Sequence, residues 1–141
     1  MRRRSFHVAP LVAVLALAGC AKASGVSAGG APQLNAMPSG VSAALIARGD
    51  SLFNTGSCQR CHGQKGIGAR NGPSLVAGPW VQIAGRYEEL VTIVTTGVPK
   101  ASFKDATRPF PMGARGGPMN LNDDQIKSVA AYVWSISRDK R

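Results

Sequence analysis

The sequence predicts an all-α fold of three to five short helices joined by long loops. Three observations carry this reading. Apolar residues recur at helical spacing in three segments, no segment alternates convincingly as a half-buried strand, and glycine and proline gather between the helical stretches. The loops are longest over 63–79 and 97–121.

In chain order, the first element is not part of the fold. Arg2, Arg3 and Arg4 form a basic start, and the apolar run 8–18 is too short to span a bilayer as a stable helix. Residues 1–19 therefore read as a signal peptide. Leu17-Ala18-Gly19-Cys20 resembles the bacterial lipobox, in which the cysteine becomes the acylated first residue of the mature chain. Residues 20–40, rich in Gly, Ala, Ser and Pro, then read as a flexible tether with a coil-like reach of roughly 25 Å. The folded domain is expected over 41–141, about a hundred residues and near the lower end of comfortable core size. Its first helix is predicted over 42–54, with Leu45, Gly49, Leu52 and Phe53 on one face. The second runs over 87–96 and stops at Gly97. The third opens at Asn122, where Gln125 completes a capping-box pattern and Asp123 and Asp124 suit the positive end of the helix dipole. Ile126, Val129, Ala130 and Val133 continue it at helical spacing, and Arg138, Lys140 and Arg141 gather at its end.

Cys58-Gln59-Arg60-Cys61-His62 is the attachment signature of a c-type haem. Each thiol adds across one porphyrin vinyl group, and two intervening residues let both sulfurs reach neighbouring pyrrole rings. His62 then lies under the iron as its proximal ligand. A thioredoxin-like reading wants a βαβ context that is missing here, and a zinc site wants four ligands. The chain holds 3 cysteines and 2 histidines. With Cys20 given to lipid and Cys58 and Cys61 to haem, no disulfide forms within the mature monomer. His7 leaves with the signal, so His62 is the only mature imidazole and bis-histidine ligation within one chain is excluded. Arg3-Arg4-Ser5-Phe6 loosely resembles a twin-arginine signal, but that route carries folded cargo, whereas haem is attached after export of an unfolded chain.

The formal charge is +10, and without Arg2, Arg3 and Arg4 the balance is 14 Lys+Arg against 7 Asp+Glu. Such a surface suits an acidic partner or an anionic membrane. Export and the absence of a recognition motif argue against nucleic acid. No carboxylate pair, catalytic triad or phosphate loop is present, so the chain reads as neither an enzyme nor a binder of small-molecule substrates.

From residue 41 to 137 the sequence resembles class I c-type cytochromes. The likeness rests on an N-terminal helix, Cys58-x-x-Cys61-His62-Gly63, Gly72-Pro73-Ser74-Leu75, a methionine-bearing loop, and a last helix with Tyr132-Val133-Trp134. It implies a cytochrome c-like fold around one covalent haem c, and terminal helices that cross at Gly49 with Tyr132, or the neighbouring Phe53, packed against it. It also implies that the Pro73 carbonyl accepts a hydrogen bond from His62. For the sixth iron ligand, Met37 falls in the tether, and Met119 has only three residues of chain before the Asn122 cap. Met112, ten residues before that cap between stiffening prolines, sits where the family places its ligand, and is favoured over Met119. Trp80 and Tyr87, and more weakly Arg86, are candidates to bond a haem propionate, with core packing the alternative.

Histidine and thioether ligation gives six-coordinate iron with a raised potential and no open site. The expected function is one-electron carriage by a membrane-tethered periplasmic domain, between respiratory or dehydrogenase partners. Arg60, Lys65, Arg70, Lys100, Lys104, Arg108 and Arg115 are candidates to steer that encounter. Two alternatives are a dedicated haem subunit of a dehydrogenase or oxidase complex, and a gas sensor or peroxidase-like protein with an open iron. The absence of any distal histidine weighs against the last.

Overall fold

Capping chemistry sets the helix boundaries. In the computed structural model, which describes residues 37–76 and 79–138, Ser42 accepts the Leu45 N–H and opens α1, Ala43–Thr55. The Gly56 N–H closes α1 on the Leu52 carbonyl. A five-residue α2, Cys58–His62, follows almost at once. Helix α3, Tyr87–Thr96, starts where the Glu89 carboxylate accepts the Arg86 and Ala84 N–H groups, and stops at Gly97 with φ +69°. Helix α4, Asp123–Ile136, has the reciprocal Asn122–Gln125 box, both bonds 3.0 Å long. Short 3₁₀ turns at Gln64–Gly66, Lys100–Ser102 and Ala114–Met119 punctuate the loops. Among the described residues there is no strand, only isolated bridges at Ala69–Gly72 and Val98–Met112.

The fold is all-α among the described residues, as expected. Helix starts expected at Ser42, Tyr87 and Asn122 fall within a residue of those observed; α2 is too short to show periodicity and was not separately expected. Cys20, the signal segment and the tether as far as residue 36 lie outside the described residues, as do Lys140 and Arg141.

Helices α1 and α4 cross at Gly49. A side chain there would overlap the Ser128 carbonyl and come within 2.8 Å of the Tyr132 Cβ. Glycine inside a helix costs about 1 kcal/mol relative to alanine, and here it lets two backbones meet. Phe53 packs on the Tyr132 ring, centroids 5.3 Å apart, and Asn54 donates to the Tyr132 hydroxyl at 3.1 Å. Leu90 and Val94 of α3 join the core against α4, with Leu121, Ile126 and Val129 fully buried.

Candidate haem site

A cavity of about 430 Å³ opens among these elements. Its walls are mainly apolar: Phe53 from α1, Leu90 and Val94 from α3, Val129 and Val133 from α4, and Leu75 and Ile83 from the loop between. Cys58, Cys61 and His62 line it together, because α2 brings both thiols and the imidazole within little more than one turn. Among the described residues no other His, Cys, Asp or Glu groups with them as a metal site.

The His62 ring is fixed from behind. Its Nδ1 lies 3.0 Å from the Pro73 carbonyl oxygen. A carbonyl only accepts, so Nδ1 carries the proton and Nε2 keeps the lone pair that a metal needs. Burial pushes the His62 pKa down, against the Pro73 bond and with help from the Arg108 charge, which favours the neutral, ligating form. Burial likewise pushes the Cys58 thiol up, with Cys61 adding to it. The turn that presents Pro73 presses closely on α2: a side chain at Gly72 would sit 2.7 Å from the Cys61 carbonyl oxygen and 3.1 Å from His62 Nδ1.

The two candidate methionines part company. Met112 lines the cavity, and its backbone is paired to Val98 by bonds of 2.9 and 3.0 Å. Gly97, at the end of α3, makes that approach possible, since a side chain there would overlap the Met112 carbonyl. Met119 is not among the lining residues. Its sulfur accepts the Ser57 N–H at 3.1 Å and occupies the space that a side chain at Gly56 would need. Met37 is exposed.

Of the propionate candidates, Trp80 lines the cavity and rests on Gly85. Tyr87 and Arg86 are engaged elsewhere. Neither lines the cavity. Tyr87, at the start of α3, turns its hydroxyl to the Lys127 carbonyl of α4 at 3.4 Å, and Arg86 is taken up by Glu89 at 2.7 Å in capping α3. Arg108 and Asp105 do line it, paired at 3.0 Å. The sequence reading placed Arg108 only as a surface cation and passed over Asp105, since no spacing marks a loop ion pair. The cavity mouth includes the exposed side chains of Val81 and Phe110, the latter 60% accessible.

This cavity fits a porphyrin: it is apolar, with two thiols and a neutral imidazole on one wall and a thioether among its lining residues. Comparison with known proteins agrees. The family described as cytochrome C oxidase, cbb3-type, subunit III matches residues 44–133, from α1 through most of α4. The chain belongs to this family. It is a class I c-type cytochrome domain whose cofactor is covalently bound haem c, and its work is electron transfer. A cbb3-type cytochrome c oxidase subunit CcoP of Azospirillum brasilense is 34% identical over 95 residues, which cover 66% of this chain and 31% of that protein. The chain thus matches under a third of that relative's length. No solved structure matches it. Among the described residues, no helix is long and apolar enough to cross a membrane.

Proposed function

We propose that this cytochrome is a one-electron relay with His62 and Met112 as axial ligands, tethered on the periplasmic side through lipid on Cys20. One observation carries the ligand assignment: Met112 shares the cavity with His62, while the Met119 sulfur is engaged by the Ser57 N–H. Haem c supplies the reversible ferrous–ferric couple, and thioether ligation sets it at a raised potential. The chain's own residues do the rest. Pro73 orients His62, Val98 anchors the backbone of Met112, and the apolar walls keep water away. Phe110 and Val81 offer an apolar contact at the mouth for a redox partner.

Two experiments test this reading. The ferric absorption spectrum of the holoprotein is expected to show the weak near-red sulfur-to-iron band. Met112→Ala removes it, gives high-spin iron and lowers the potential, on the order of tenths of a volt within the roughly 0.8 V that axial ligands span. Retention of the band in Met112→Ala would refute the assignment. Cys20→Ser is expected to move the protein from the membrane to the soluble fraction; unchanged retention would count against acylation.

The family match supports a second reading, in which the domain is a fixed haem subunit of a terminal oxidase. Co-purification with oxidase subunits at a constant ratio distinguishes it from a freely exchanging carrier.

A further inference from the structure

Arg108 reaches from the methionine loop to the loop beyond α2. It sits four residues before Met112, and its partly buried side chain makes two kinds of contact. Nε donates to the Asp105 carboxylate at 3.0 Å within its own loop. Nη1 donates to the Ala69 carbonyl at 2.9 Å, and to the Arg70 carbonyl at 3.4 Å, in the loop beyond α2. The Arg108 carbonyl in turn accepts from Lys100 Nζ, which fastens its backbone inside the loop. Among the described residues, no other side-chain hydrogen bond joins 98–112 to 58–73.

What Arg108 grips leads directly to the proximal ligand. Ala69 is paired with Gly72 through mutual bonds of 3.0 and 3.3 Å. Pro73 follows Gly72, and its carbonyl holds His62 Nδ1 at 3.0 Å. A continuous series of polar contacts therefore joins the loop carrying Met112 to the turn that orients His62.

We infer that Arg108 is a positioning residue, a strap that holds the methionine loop against the 69–73 turn and so keeps the Met112 sulfur on the iron. This rests on the His62/Met112 reading. A thioether is a weak neutral donor, so its occupancy depends on how firmly its loop is confined beside the metal. A guanidinium suits the task, because its fixed fork bonds the carboxylate on one side and the carbonyl on the other at once. Lysine, a point charge on a flexible stem, cannot reproduce that.

Imidazole added to the ferric holoprotein competes with Met112 for the iron, and its apparent affinity reads the confinement. Arg108→Gln is expected to raise that affinity by at least about tenfold, the scale of one lost charge-assisted hydrogen bond. Arg108→Lys is expected to lie between it and wild type. Lys127→Gln, which breaks the α4 pair with Asp124 away from the cavity, is the control and binds as wild type does. Wild-type affinity in Arg108→Gln overturns the inference, and so does an equal rise in Lys127→Gln, which would report general loosening. Should Arg108→Gln not fold, Asp105→Asn frees one arm of the fork; a rise of several-fold supports the strap and no rise overturns it. A wild-type spectrum lacking the sulfur-to-iron band would instead remove the ligand reading beneath, a result separable from any difference among variants.

Discussion

Met112 and Met119 lie seven residues apart in a single loop, yet their backbones commit them to different work. Met112 is paired with Val98 and lines the cavity; Met119 is folded under the junction of α1 and α2, on Ser57 and Gly56. Met119→Ala is therefore expected to leave the spectrum unchanged and to cost about 2 kcal/mol, the low end for a partly buried methionine. Chemical denaturation followed by helical signal checks the stability, and loss of the near-red band would reverse the two roles. The haem motif was legible because its spacing is dictated by covalent chemistry. The partners of Tyr87 and Arg86 were not legible, because side-chain direction at a helix start depends on caps and neighbours, here Lys127 and Glu89, which sequence proximity does not reveal.

At the scale of elements, the crossing of α1 and α4 depends on a missing side chain. Gly49→Ala recovers about 1 kcal/mol of helix propensity but sets a methyl group against the Ser128 carbonyl, which cannot rotate away. Overpacking of this kind costs up to about 3 kcal/mol, so a net loss of about 2 kcal/mol is expected. Denaturant unfolding of the holoprotein measures it, and a stabilised variant would disprove a close crossing. The helices themselves were readable from apolar period and caps, above all Asn122 with Gln125. Helix α2 was not, because five residues show no period. The 3₁₀ turn Ala114–Met119 was hidden too: it contains Pro118 and left-handed backbone at Arg115, Gly116 and Gly117, set by contacts such as Ser57 to the Gly116 carbonyl.

Across the whole molecule, the charges are unevenly spread. No acidic residue occurs between Asp50 and Glu88, the stretch that holds the haem motif. The described ion pairs engage Arg86, Arg108, Arg115 and Lys127, while Arg60, Lys65 and Arg70 form none. With an acidic redox partner, the bimolecular exchange rate is expected to fall about tenfold as ionic strength rises from about 0.01 to 0.15 M and the Debye length shrinks from about 30 to 8 Å. Stopped-flow rates independent of salt would exclude such steering. The Val98–Met112 bridge has a separate consequence for engineering. By pinning both ends of the intervening stretch to each other, it confines a change of length in 99–111 to the loop itself: an insertion clear of Lys100, Asp105 and Arg108 can bulge outward at a small entropic cost, and the Met112 backbone stays paired with Val98.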